Sequence, residues 1–173
     1  NQKKLVKAGY GLLDTLLDNV AALPRESDSA LKKILIAPSW QKDNILELCL
    51  AEVVEQLAGK GYRLIIRPHP EFIKRFPLKM EKILRQYENM LDDDFVIDLD
   101  FSSNESIFTS DLVITDWSAI AQEFSYSTKK PSLFINTPLK VMNPEYKRIG
   151  ITPLEFSLRK QIGIALDVDG LSE

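Results

Sequence analysis

From residue 34 onward the apolar residues follow two alternating rhythms. Short β-rich apolar runs are separated by longer stretches in which apolar side chains recur every three or four positions, the sign of βα units folded into a parallel sheet. Five strands follow from the short runs: Ile34–Ala37, Tyr62–Arg67, Phe95–Leu99, Asp111–Thr115 and Pro131–Asn136. Between them the spacing predicts helices over Asn44–Ala58, Leu78–Leu91 and Ala119–Tyr126, with a short helical turn near Glu105–Thr109. In the first helix Leu46, Leu50, Val53, Val54 and Leu57 form the buried stripe; Asp43 or Asn44 caps its start, and Gly59 and Gly61 stop it. Ser118 stands where a cap belongs, directly before Ala119-Ile120-Ala121. The fold class read from this order is α/β, a doubly wound Rossmann-like parallel sheet of about five strands.

The two ends read differently. Over residues 1–30, Leu5, Leu12, Leu13, Leu16, Leu17 and Val20 recur at helical spacing, and Pro24-Arg25-Glu26-Ser27-Asp28-Ser29 reads as a linker. This makes 1–30 a helical lead-in and 31–173 the main domain. Near the C-terminus a helical pattern runs from Leu154 to about Asp167, carrying Arg159 and Lys160, and Lys140–Gly150 reads as a long loop.

Composition removes several classes of function. With 22 Lys and Arg against 25 Asp and Glu, the 173-residue chain carries a net charge of -3, which offers no basic field for nucleic acid or an anionic membrane. Cys49 is the only cysteine, so an intrachain disulfide or thiolate metal cluster is excluded and a reducing compartment fits. No run approaches the roughly 18 apolar residues of a membrane-spanning helix. The chain begins at Asn1, which leads us to expect a piece of a longer protein.

The polar residues then show where chemistry can lie. In an open parallel sheet, ligands bind beyond the carboxyl ends of the strands, where strand order reverses. Those ends carry Pro38-Ser39-Trp40, Arg67-Pro68-His69-Pro70, Asp98 to Ser103, Thr115-Asp116-Trp117-Ser118 and Asn136-Thr137-Pro138, so the single histidine and both tryptophans fall on one rim. At Thr115-Asp116-Trp117-Ser118-Ala119 a strand turns directly into a helix, whose free N–H groups suit phosphate oxygens. A plainer reading stands beside this one: Ser118 caps its own helix and Asp116 closes the turn. In Arg67-Pro68-His69-Pro70 the prolines fix the backbone around an imidazole, which can bind a diphosphate or neutralise a leaving group, with Arg67 supplying charge. A histidine in a surface loop can equally be incidental. No G-x-G-x-x-G, P-loop or G-x-S-x-G motif is present. Asp92-Asp93-Asp94 reads as a solvated turn rather than a metal cluster, and no metal or other cofactor is expected.

Ile36-Ala37-Pro38-Ser39-Trp40, Arg67-Pro68-His69-Pro70 and Ser110-Asp111-Leu112-Val113-Ile114-Thr115-Asp116-Trp117-Ser118-Ala119-Ile120, in this order and spacing, resemble the C-terminal half of the CDP-glycerol glycerophosphotransferases, the teichoic-acid polymerases and primases. Lys7-Ala8-Gly9-Tyr10-Gly11-Leu12-Leu13-Asp14 is similar to the family's segment between its two halves. The resemblance implies one half of a GT-B fold, the donor-binding half. It implies a CDP-glycerol donor, with His69 assisting loss of CMP and Asp116 and Ser118, with the helix start at Thr115–Ala119, holding phosphate and glycerol oxygens. Ser39 and Trp40 match the segment near the nucleotide pocket, and Arg67 stands where the family often has lysine. Departures are Trp117, where tyrosine is common, and Ala119, where a second serine is common.

The family moves polyol phosphate to an acceptor hydroxyl and releases CMP in teichoic-acid-like or capsule polymer synthesis. Its acceptor-side histidine lies in the N-terminal half, so this chain, with His69 alone, is expected to bind donor without turning it over. The polymer or lipid-linked acceptor, and any contact with the cytoplasmic face of the membrane, would come through parts outside this sequence. A GT-B glycosyltransferase using another nucleotide sugar, and a Rossmann-like interaction domain without turnover, remain as alternatives.

Overall fold

The short apolar runs become strands because their side chains alternate between two faces that are both covered. The computed structural model describes residues 4, 6, 8–23 and 31–171. The expected linker Pro24–Ser29 and Leu5 lie outside the described residues. In chain order the elements are α1 (Gly11–Ala22), β1 (Lys32–Ile36), α2 (Ile45–Leu48), α3 (Leu50–Leu57), β2 (Tyr62–Ile66), α4 (Pro70–Arg75) and α5 (Pro77–Tyr87). They continue with β3 (Phe95–Ile97), α6 (Glu105–Thr109), β4 (Leu112–Thr115), α7 (Ile120–Thr128), β5 (Ser132–Asn136), α8 (Leu154–Ser157), α9 (Arg159–Ile162) and β6 (Gly163–Asp167).

All strand pairs are parallel, in the order β3-β2-β1-β4-β5-β6, a Rossmann-like sheet. Ile34, Ile36, Leu64, Ile66 and Ile114 bury one face against α2, α3, α4 and α5 through Leu46, Val53, Phe72 and Ile83. The alternating Leu35, Ala37, Ile65 and Val113 bury the other against Leu16 of α1, Ile107 and Phe108 of α6 and Phe124 of α7. Each of the Leu, Ile, Val and Phe side chains among them contributes on the order of 1.5–3 kcal/mol when removed from water. The lead-in helix α1 lies along α7, where the Tyr10 hydroxyl donates to Glu123 Oε1 at 2.9 Å.

Two expectations are corrected and one helix is added. The helical pattern from Leu154 to Asp167 is two short helices and a sixth strand. Gly163 marks the change, since a Cβ there would lie 1.7 Å from the Ser132 carbonyl oxygen, so only glycine lets β6 approach β5. The helix expected over Asn44–Ala58 is interrupted at Cys49, whose backbone (φ -150°, ψ 18°) leaves the helical region. Asn44 caps its first half by accepting from the Leu46 N–H at 2.8 Å, while Gly59 and Gly61 close the second with φ of 69° and 85°. Finally, Pro70 is the first residue of α4, a helix that periodicity does not announce in six residues.

Candidate functional site

Strand order reverses between β1, which continues to β2, and β4, which continues to β5, so their carboxyl ends open a crevice at the switch point. The turn after β4 is built from behind. Asp116 is 1% exposed; its Oδ1 accepts from the Ser39 and Trp117 N–H groups, each at 2.7 Å, and its Oδ2 from the Ile45 N–H at 3.3 Å. Thr115, fully buried, donates its hydroxyl to the Ala37 carbonyl at 2.6 Å. The Asn44 amide donates to the Ser39 carbonyl at 2.9 Å and the Gln41 carbonyl at 2.8 Å. These bonds tie the ends of β1 and β4 to the start of α2.

Ser118 and Ala119 follow on the outside of that turn. Ala119 is exposed, already helical (φ -65°, ψ -13°), and occupies the N-cap position with no side-chain cap. Ser118 stands just before it, as expected of a cap, and its hydroxyl accepts from the Ile120 N–H over a long 3.4 Å. The first turn of this nine-residue helix carries the partial positive charge of a helix start.

The turn after β2 is held by its own chain. His69 is the N-cap of α4, with Pro70 next, and its Nδ1 accepts from the Glu71 N–H at 3.0 Å. An accepting Nδ1 carries no proton, so the neutral ring bears its hydrogen on Nε2. Burial holds the His69 pKa below its ordinary value; Glu71 opposes this and Lys140 adds to it. His69 and Ser118 line the same crevice of about 230 Å³, with Pro38, Pro68, Phe101 and Ile120 supplying apolar wall.

Arg67 backs this crevice with its charge already engaged. It is 8% exposed, pairs through Nη1 with Asp98 and donates to Ser106 Oγ at 3.1 Å and, through Nη2, to the Ser103 carbonyl at 2.8 Å. On its far side a larger crevice of about 480 Å³ runs between Lys33, Arg63 and Asp98. Asp98 Oδ1 accepts from the Asp100 N–H at 2.9 Å, and Asp92 Oδ1 accepts from Asp94 and Phe95, each at 2.8 Å, so the acidic runs form turns. Among the described residues, no group of three or more His, Cys, Asp or Glu could hold a metal ion. Burial, with Glu52 and Asp116, pushes the Cys49 thiol up to about 12, which removes it as a nucleophile.

The structure thus brings His69, Ser118 and Ala119 to one rim and places Arg67 in its wall. Ser39, Thr115 and Asp116 stand behind as supports. Trp40 lies apart, half-buried beneath Arg75 and Lys140, whose charges sit 4.8 and 5.6 Å from its ring centre. Phe101 and Lys140 were missed by sequence reasoning, and Asn44 entered it only as a helix cap. Asn44 carried a readable signal as a capping candidate; Phe101 and Lys140 sit in loops whose course no periodicity fixes.

Residues 1–145 match the family model described as CDP-Glycerol:Poly(glycerophosphate) glycerophosphotransferase. The chain belongs to this family. A variant of the wall teichoic acid polymerase TagF shares its fold, with 22% identity, a TM-score of 0.50, and coverage of 94% of this chain and 37% of that one. A second TagF structure, soaked with CDPG, is 26% identical over 70% of this chain and 27% of that chain, with a TM-score of 0.41. KpsC of Thermosulfurimonas dismutans, a beta Kdo 2,7 transferase, is 20% identical over 96% of this chain and 52% of that chain, with a TM-score of 0.39. The chain therefore spans 27–37% of the length of these TagF chains. No curated protein matches it. As a family member it is a transferase-type α/β domain, glycerophosphotransferase-like in sequence.

Proposed function

We propose that this chain is the donor-binding half of a polyol-phosphate transferase, holding CDP-glycerol in preference to its ribitol counterpart. The observation that carries this reading is the meeting of His69 and Ser118 in one crevice at the switch point, beside the start of α7. The apolar wall of Pro38, Pro68 and Phe101 suits the flat pyrimidine, while the Ser118 hydroxyl and the positive end of α7 suit the diphosphate. Ser39, Thr115 and Asp116 keep that turn in place, and Arg67 adds shape and charge from the wall.

In the reaction an acceptor hydroxyl oxygen bonds to the β-phosphorus, the bond from that phosphorus to the bridging oxygen breaks, and CMP departs with the electron pair. His69 carries its proton on Nε2, where it can hydrogen-bond the departing phosphate and stabilise its charge. The base that accepts the hydroxyl proton, and the polymer or lipid-linked acceptor, belong to another part of the enzyme. The product would be a teichoic-acid-like or capsule polymer made at the cytoplasmic face of the membrane. Among the described residues, no helix is long and apolar enough to cross a membrane.

Calorimetric titration with CDP-glycerol, CDP, CMP and a UDP-sugar tests the reading. Saturable binding of CDP-glycerol, weakened by both His69→Ala and Ser118→Ala, is expected. Unchanged affinity in both variants removes the site, and binding only to the UDP-sugar makes the chain a glycosyltransferase donor domain.

A further inference from the structure

Arg159, the first residue of α9, is 8% exposed. Its guanidinium carbon lies 4.1 Å from the ring centre of Trp117 and 4.5 Å from that of Phe134, so the cation is clamped between two aromatic faces. Its Nε and Nη2 are enclosed and have no hydrogen-bond partner. Leaving charged donors buried and unpaired is costly, and an arginine cannot escape by losing its proton near neutral pH. Burial lowers the Arg159 pKa and Asp116 raises it, so the carboxylate is the opposite charge this guanidinium senses. The two are nevertheless not an ion pair: both Asp116 oxygens are turned to the backbone N–H groups of Ser39, Trp117 and Ile45.

Asp116 presents the complementary problem. A buried carboxylate two residues before Ser118 repels any anion brought to the start of α7. Trp117 stands between the carboxylate and Ser118 in the chain, so the cation stacked on it brings positive charge to the same turn without occupying the carboxylate.

We propose that Arg159 is the counter-charge of an anion site at the β4–α7 turn: held against Trp117, it offsets Asp116 so that a phosphate or diphosphate group can settle beside Ser118. The identity of that group as a nucleotide diphosphate rests on the donor-site reading above. Arg159 acts through the turn and is a positioning residue. Lysine keeps its charge but not its planar stacking, and methionine keeps the packing of its stem but not its charge.

The test titrates the chain with inorganic pyrophosphate, CDP and cytidine by calorimetry, at low and moderate salt, with thermal melting as the check on folding. Arg159→Met is expected to weaken pyrophosphate and CDP about tenfold and to reduce the salt dependence, with cytidine unaffected. Arg159→Lys should recover much of that affinity, and adding Asp116→Asn to Arg159→Met should recover part of it, because the repelling charge is then gone. If Arg159→Met does not fold, Arg159→Gln makes the same comparison. Wild-type affinity for pyrophosphate in the neutral variant overturns the proposal, as does equal loss of cytidine and pyrophosphate with no recovery in the double variant, which would make Arg159 a prop for Trp117. Arg159-dependent binding of pyrophosphate without binding of CDP sinks the nucleotide reading and leaves Arg159 in place; CDP binding that ignores Arg159 does the reverse, and binding of neither removes both.

Discussion

The turns after β2 and β4 meet in one crevice but are held by different means. After β2 the loop itself is held locally, with Pro68 and Pro70 restricting the backbone and His69 closing the start of α4 on a neighbour two residues away, and only Arg67 reaches distant partners. After β4 the constraint comes from far along the chain, with Asp116 gathering N–H groups from Ser39 and Ile45. Both turns nevertheless divide their labour alike. The strongest charge in each, Arg67 or Asp116, faces inward and holds structure, and the milder group, His69 or Ser118, faces the crevice. A charge bound to its own protein is a poor ligand for a substrate, so the most chemical-looking residue in a motif is often its support.

Asp116→Ala attacks the turn that depends on distant partners and should have the largest effect. It strands two buried N–H groups and a part-buried one, the buried ones costing about 1–3 kcal/mol each when unsatisfied, so a loss of roughly 3–5 kcal/mol is expected by urea denaturation. Asp116→Asn, which still accepts through one oxygen, should lose less than half of that. Arg67→Ala comes next. It leaves Asp98, whose side chain is 16% exposed, without its cation, and about 2–4 kcal/mol should be lost by the same measurement. If Arg67→Ala proves the more damaging, the β2 turn is the one that leans on distant contacts, and the contrast between the two turns is reversed.

The difference in support also explains what could be read from sequence. The five runs of β-branched and aromatic residues were visible as strands because each is buried on alternating faces. The rim was visible because strand ends in a parallel sheet share one side. The sixth strand was not: Ile164 and Leu166 lie on an edge strand, 68% and 37% exposed, and the segment before them repeats at helical spacing. The roles of Arg67 and Asp116 were hidden for a different reason. All of their partners but Trp117 lie 31 to 77 positions away, and nothing in the local pattern shows that a charge is already taken. Arg159 gave even less signal, since its partners are the faces of rings on β5 and the β4 turn.

His69 separates structure from binding within the local turn. Removing the cap in His69→Ala should cost about 0.5–1 kcal/mol, whereas His69→Asn, which can cap the same helix, should restore stability but not donor affinity. If His69→Asn binds CDP-glycerol as tightly as the natural chain, the imidazole is only a cap, and the β2 turn is scaffolding.

The smallest effect expected is one of pH, and it follows from the same cap. The His69 pKa is lowered in the folded chain from its ordinary 6.5, mainly by burial. Above that value the ring is neutral whether folded or unfolded, and its cap contributes fully. As pH falls below about 6.5 the unfolded chain takes up the proton first, so this contribution declines until the folded ring is protonated too and Nδ1 can no longer accept from Glu71. Denaturation of the natural chain and of His69→Asn at several pH values should show this decline only in the former. A bound diphosphate acts in the opposite sense, because its charge favours the imidazolium. Donor affinity should therefore rise slightly as pH falls through the same window, and a flat affinity would place His69 out of reach of the phosphates.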